Sequence, residues 1–95
     1  MPDPPQQRRP SDVLESVKLA AFRRELGNTK HVRDQMRERN VRAADVFNAI
    51  QTATRAEKQP NGSWRLLGGK DVDGDELIVA VNVDAVPMLV ITIFV

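Results

Sequence analysis

The chain has 95 residues, of which 41% are hydrophobic and 28% are charged, a composition typical of one small globular domain. It contains no cysteine and one histidine, which excludes disulfides, thiol catalysis and histidine-based metal cages, so we expect no metal and no cofactor. Its first ten residues lack an apolar signal region, and Asn82, Asp84 and Pro87 interrupt the apolar C-terminal run, so we expect a cytoplasmic protein without a membrane span.

Charge is distributed unevenly along the chain. Residues 1–58 carry twelve lysines and arginines against eight acids, whereas residues 59–95 carry two against five. A basic helical half joined to an acidic half can orient an anionic partner such as RNA. A solvated helical surface has the same charge pattern, so the charges alone leave both interpretations open.

The predicted elements begin after a proline-rich lead over residues 1–10, which we expect to be disordered, and residues 11–95 form one domain. Ser11 is a suitable N-cap and Gly27 a suitable stop for a first helix over about residues 12–26. Helical periodicity gives this helix two apolar stripes that are almost opposite each other. One stripe is predicted to pack in the core. The other predicts a partner interface and consists of Leu19, Phe22 and Leu26.

Two further helices are predicted. The second runs from His31 to about Arg39 and is capped by Asn28 or Thr29. A third helix follows a break at residues 40–42. It has the spacing of a core-facing stripe, formed by Ala43, Val46, Phe47 and Ile50.

After Thr52 the apolar period changes from that of a helix to that of a strand. A hairpin turn is predicted at Pro60-Asn61-Gly62, and Trp64 is predicted to lie in the core rather than to stack on a base. The order of elements predicts an α+β fold, with two or three N-terminal helices packed on a three- to four-stranded antiparallel sheet. The predicted strands are residues 53–59, 63–67, 77–83 and 88–95.

The last two strands predict a sheet that is apolar on both faces. A tight turn at residues 84–87 would place Val79 opposite Thr92 and Ile78 opposite Ile93. The third helix can cover one face, and the first helix can cover the other. We expect the apolar surface that remains uncovered to bury against a partner, either a second copy or another protein.

The segment from Thr29 to Arg39 reads TKHVRDQMRER. It resembles the T-x-H-x-x-x-x-M-x-x-R helix that opens a small bacterial family of unknown function, and the resemblance covers about residues 28–95. That family is similar to the RelE-like and BrnT-like toxins, which are metal-independent endoribonucleases of toxin–antitoxin modules. The resemblance implies helices on a curved antiparallel sheet, RNA as the substrate, and an antitoxin or a second copy as the partner.

RNA cleavage without a metal needs a base for the 2′-hydroxyl, cations for the phosphate and an acid for the leaving 5′-oxygen. Histidine is the residue type that titrates near neutrality, which makes His31 a candidate for one catalytic proton transfer. The other transfer is left to a lysine, a carboxylate or water. Arg39 is the second candidate catalytic residue. The candidate nucleic-acid-binding residues are Lys30, Arg33, Arg37, Arg65 and Lys70.

Structural roles are the alternative for these residues, and other function classes are the alternative to an enzyme. His31 can be a structural histidine that bonds backbone groups in the first helical turn, and Arg39 can lay its stem over the core. The chain has no tyrosine, a residue that many RelE-like enzymes use. Its absence favours a second function class, a non-catalytic protein-binding module of the same fold. A nucleic-acid-binding repressor component is the third class.

Overall fold

The computed structural model describes residues 8–95, so most of the predicted disordered lead lies outside the described residues. No helix in this part of the chain is long and apolar enough to cross a membrane. The described elements are α1 (Pro10–Phe22), β1 (Gly27–Asn28), α2 (Lys30–Glu38), α3 (Ala43–Thr52), β2 (Arg55–Lys58), β3 (Trp64–Leu67), β4 (Ile78–Asn82) and β5 (Leu89–Phe94).

Helix α1 begins and ends earlier than predicted. Pro10 occupies its first turn, where a missing N–H costs nothing, so Ser11 lies inside the helix and is not the N-cap. The helix ends at Phe22 because Arg24 adopts a left-handed conformation, with φ 58°. The Glu25 N–H then donates to the Ala20 carbonyl, which closes the last turn well before Gly27.

Helices α2 and α3 lie close to the predicted positions. The Thr29 hydroxyl caps α2 by accepting from the Val32 N–H over 3.2 Å, and Asn40, with φ 58°, follows its end. Arg42 is the N-cap of α3, and its backbone N–H donates to the Asp45 carboxylate over 3.0 Å. A carboxylate three positions into the helix therefore satisfies a donor at its start.

The α+β class is confirmed, but the sheet is larger than predicted. It has five strands in the order β1-β5-β4-β3-β2 among the described residues. The four longer strands are antiparallel, whereas β1 pairs with β5 in parallel, so the sheet is mixed. The predicted hairpin between β2 and β3 is present, with Gly62 at φ 88°.

The register between β4 and β5 follows the prediction only near the turn. A β-bulge between Ala80 and Val81 gives β5 one extra residue, Ile91. The predicted partners of Val79 and Ile78 are therefore wrong by one position. The observed pairs are Asn82 with Leu89, Val81 with Val90, Ala80 with Thr92, Val79 with Ile93 and Ile78 with Phe94.

The core lies between the helices and one face of the sheet. Trp64 is 4% exposed, which confirms it as a core residue. On α3 the buried apolar side chains are Val46, Ala49 and Ile50, while Phe47 is 42% exposed. The prediction that Ala43 and Phe47 face the core is therefore wrong, because both are exposed and the buried stripe is centred on the other side of Val46.

The opposite face of the sheet carries no helix in the described part of the chain. Helix α1 packs against β2 and α3, so the prediction that it covers the second sheet face is wrong. We call this second surface the outer face. Strand alternation assigns to it Arg55, Glu57, Arg65, Leu67, Ile78, Ala80, Asn82, Leu89, Thr92 and Phe94.

Candidate nucleic-acid interface

Helix α2 is tied to the edge of β5 by one side chain. The Gln35 Oε1 atom accepts from the Ile93 N–H over 3.0 Å, and its Nε2 atom donates to the Ile93 carbonyl over 3.3 Å. The Thr92 hydroxyl donates to the same Oε1 over 2.9 Å. The amide thus occupies the place that a neighbouring strand would take, and it fixes α2 beside the sheet.

A row of cross-strand neighbours leads from this edge across the outer face. Thr92 pairs with Ala80, and Ala80 pairs with Arg65 on β3. Two strand spacings separate the ends of the row, about 10 Å from Arg65 to Thr92. Because Thr92 bonds to Gln35, α2 borders one side of the outer face while Arg65 lies on the other side.

Arg65 stacks on an aromatic ring of the outer face. Its Cζ atom lies 4.4 Å from the centre of the Phe94 ring, within the range of a cation–π contact. Glu57 is its neighbour on β2, but no carboxylate of residues 8–95 forms an ion pair with Arg65. The stacked guanidinium therefore keeps its charge and its N–H edge available for an anion.

His31 lies in the first turn of α2 and is exposed. It precedes Gln35 by four positions, so both side chains lie on the same side of the helix, one turn apart. Its ring forms no hydrogen bond with any residue of the described part. The structure therefore does not show His31 as a structural histidine that bonds backbone groups in the first helical turn.

Arg39 lies at the other end of α2, as its C-cap, and is exposed. Eight positions separate it from His31, which corresponds to about 12 Å along the helix axis. The two candidate catalytic residues thus do not converge on one point. A separation of this size along the helix does not fit a single catalytic pair.

The predicted basic ridge of α2 is partly neutralised. Lys30 bonds to Asp34 over 3.0 Å and Arg37 bonds to the same carboxylate over 3.4 Å. The Lys30 ammonium, with smaller contributions from Arg37 and Arg33, holds the pKa of Asp34 below its usual value. The Arg33 Nη1 atom donates to the Asn28 carbonyl over 2.8 Å. The ridge is exposed, with three cations and one carboxylate.

Lys70 lies apart from the other candidates. Its backbone N–H donates to the Thr52 hydroxyl over 2.8 Å, and its carbonyl accepts from the Asn48 amide over 2.9 Å. These bonds hold the β3–β4 loop at the end of α3. The structure therefore places Lys70 beside α3, not on the outer face.

The predicted interface stripe is divided in two. Leu19 and Phe22 are 47% and 74% exposed on α1, as an interface requires. Leu26 is half-buried and packs against the core. The stripe assumed one continuous helix, whereas the left-handed residue Arg24 turns the chain before Leu26.

No sequence pattern was used to assign a role to Asp45, whose carboxylate joins the start of α3 to the β3–β4 loop. This side chain is buried and accepts from the Arg42 N–H, from the Arg42 Nε and, over 3.1 Å, from the Val72 N–H. These hydrogen bonds hold its pKa below the usual value. The three-residue spacing from the helix start to an acid was the signal that could have identified it.

Residues 28–95 match the family described as Domain of unknown function (DUF4258). The chain belongs to the DUF4258 family. No curated protein and no solved structure matches the chain. The DUF4258 region contains α2, α3 and strands β2–β5, and therefore includes His31, Gln35 and Arg65. Helix α1, with Leu19 and Phe22, precedes it.

Proposed function

We propose that this DUF4258 protein is a metal-independent endoribonuclease of the RelE-like or BrnT-like toxin kind. Its RNA lies across the outer face, between Arg65 on β3 and the flank of α2 that carries His31. One observation carries the proposal: the row from Arg65 through Ala80 and Thr92 to Gln35 brings α2 to the border of that face. An exposed histidine and an unpaired arginine thus border one uncovered surface.

The chemistry follows from these two groups. His31 takes the proton of a ribose 2′-hydroxyl, and the 2′-oxygen attacks the adjacent phosphorus. The bond from phosphorus to the 5′-oxygen breaks, and that oxygen takes a proton from water. The products are a 2′,3′-cyclic phosphate and a 5′-hydroxyl. Arg65, on the far side of the outer face, binds a neighbouring phosphate of the same strand, because its fork can bond two phosphate oxygens at once.

The cations of α2 position the strand. Arg39 is exposed at the C-terminal end of the helix and reaches a phosphate beyond the cleaved bond, whereas Arg33 is exposed on the flank opposite His31 and adds only to the positive charge of the helix. Contacts of this kind fix where the RNA lies and carry no base specificity. We therefore expect binding that weakens with salt.

The test is cleavage of total bacterial RNA by the purified chain in the presence of EDTA, with the chemistry of the new ends determined. The wild-type protein should yield cyclic phosphate ends. His31→Ala should lower the cleavage rate by about 10²–10⁴. Its melting temperature should stay within a few degrees, because the His31 ring is exposed and makes no hydrogen bond with the described residues.

Lys58→Ala is the matched control, since Lys58 is exposed on β2 and alternates to the helix-bearing side of the sheet. It should cleave like the wild-type protein. Intact RNA after incubation with a folded wild-type chain would overturn the proposal. Cleavage by His31→Ala at the wild-type rate would remove His31 from the reaction.

A non-catalytic protein-binding module is the second candidate function. It is favoured by the apolar part of the outer face, where Leu67, Ile78 and Leu89 are half-buried without a covering element in residues 8–95. In that case the protein leaves RNA intact and shows no salt-dependent affinity for it. The same cleavage assay therefore separates the two candidates.

A further inference from the structure

A groove lies among the helices, on the side of the sheet away from the outer face. An open groove of about 230 Å³ is bounded by the end of α1, by α2 and α3, and by the start of β5. Its walls are apolar and include Leu26, Met36 and Phe47. Among the described residues that line it, Arg24 is the only charged one and none is acidic.

Phe47 is an exposed apolar wall of this groove. It has the spacing of a core residue, three positions before Ile50, which is fully buried. Phe47 is nevertheless 42% exposed, because it forms a wall of the groove. Phe22, which is 74% exposed, follows the groove residue Ala21 on α1. Apolar surface of this kind is typical of a protein interface.

Arg24 provides the charge of the site. Its φ of 58° is a conformation that glycine adopts without strain and that other residues adopt at a cost. Backbone bonds from Arg24 to Ala21 and from Glu25 to Ala20 hold this turn. An arginine thus stands at the rim of an apolar groove, at a position where the backbone favours glycine, and it offers its charge to a carboxylate.

We infer that the groove docks an amphipathic helix of another protein, with apolar anchors in the groove and acidic residues beside them. The volume lies below the roughly 300–1,000 Å³ of small-molecule pockets, so it suits one or two side chains. A helix that binds a groove can present two such anchors on one face, three or four positions apart. The inference does not rest on the proposed RNA function, since the outer face is on the other side of the sheet.

The experiment is selection from a displayed library of amphipathic peptides of about 14 residues. Four positions on one helical face vary among Leu, Ile, Met and Phe, and the flanking positions vary among Glu, Lys and Gln. The full chain is the target. We expect enrichment of peptides with glutamate flanks, and the selected peptides, once labelled, should bind the chain in an anisotropy titration.

Two pairs of variants locate the binding. Ala43 is exposed, lines the groove and begins α3, where a glutamate is favourable for the helix, so Ala43→Glu should fold. It should weaken binding of the acidic peptides at least tenfold, whereas Ala43→Lys should not. Arg24→Gly relieves the strain of the left-handed backbone and removes the charge, so it should also weaken binding of the acidic peptides. Its control is Asn40→Gly, which relieves the same φ of 58° without removing a charge.

Absence of enrichment, or enrichment of lysine flanks, would overturn the inference. Binding that is unchanged in both Ala43→Glu and Arg24→Gly would also overturn it. Sedimentation adds a further outcome that would overturn the inference. A wild-type dimer that dissociates in the Ala43→Glu variant would make a second copy of this chain, and not a different protein, the occupant of the groove. Retained RNA cleavage in these variants is expected, since the outer face is unchanged.

Discussion

The side-chain amide of Gln35 pairs with both backbone groups of Ile93, accepting from its N–H over 3.0 Å and donating to its carbonyl over 3.3 Å. A strand edge with unpaired backbone groups is a template for another chain. Here β1 pairs with the start of β5, and Gln35 pairs with the part that follows. The same contact determines where α2, and with it His31, lies relative to the sheet.

Gln35→Ala should lower the free energy of unfolding by about 1–3 kcal/mol, because it leaves the Ile93 backbone groups without their partner. Urea unfolding followed by the fluorescence of Trp64, the single tryptophan, measures this change. Glu38→Ala on the same helix is exposed and should change the free energy by less than about 0.5 kcal/mol. Equal effects of the two variants would contradict the role given to Gln35.

Asp45 should make stability fall in acid. The Arg42 and Val72 hydrogen bonds lower its folded-state pKa, so its contribution is present above the unfolded pKa of about 3.9 and is lost as the pH falls through the folded value. Melting temperatures between pH 7 and pH 2 measure this loss. Asp45→Asn should be less stable than wild type at pH 7, and the difference should shrink towards pH 2. Asp75→Asn is the control, and a constant difference for Asp45→Asn would contradict the account.

Phe47 and Ile50 should differ in their contribution to stability, although both lie on α3. Ile50→Ala removes a fully buried side chain and should cost about 2–5 kcal/mol. Phe47→Ala removes a larger side chain that is 42% exposed, and should cost only about 1–2 kcal/mol. Chemical unfolding of both variants checks the order. A larger loss for Phe47→Ala would mean that this ring is part of the core and not a groove wall.

Two glycines with similar backbone conformations should respond differently to alanine. Gly62 has φ 88° and open space around it, so Gly62→Ala should cost about 1–2 kcal/mol. Gly68 has φ 82°, but a β-carbon there would collide with the Thr54 hydroxyl. Gly68→Ala should therefore cost about 1–2 kcal/mol more than Gly62→Ala, measured by thermal unfolding. Equal losses would show that Thr54 moves aside freely.

Local signals were enough to predict much of the fold. The Thr29 cap, the spacing of Val46 and Ile50, and the turn before Gly62 each depend on neighbours within a few residues. Each of these predictions is confirmed, as is the burial of Trp64.

Predictions that depend on distant segments were less successful. The bulge at Ile91 and the pairing of β1 with β5 arise from contacts across the sheet, and no local pattern marks them. The left-handed conformation of Arg24 separates Leu26 from its predicted stripe for a similar reason, since arginine rarely adopts it.

In the candidate site, too, local features could be predicted from the sequence and long-range placements could not. His31, Arg33 and Arg39 could be assigned to one short helix from sequence. Their placement relative to Arg65 depends on Gln35, a residue whose partner is 58 positions away. Sequence spacing alone could not supply that placement, although the eight positions between His31 and Arg39 already indicate a separation of about 12 Å along a helix.

Amide chemical shifts of the labelled His31→Ala chain show whether RNA lies across the outer face beside α2. Single-stranded RNA is titrated in, since this variant should bind without cleaving. We expect shifts at Arg65, Thr92, Phe94 and Gln35, together with little change in α1. Shifts confined to α1 and α3, or no shifts at low salt, would contradict it.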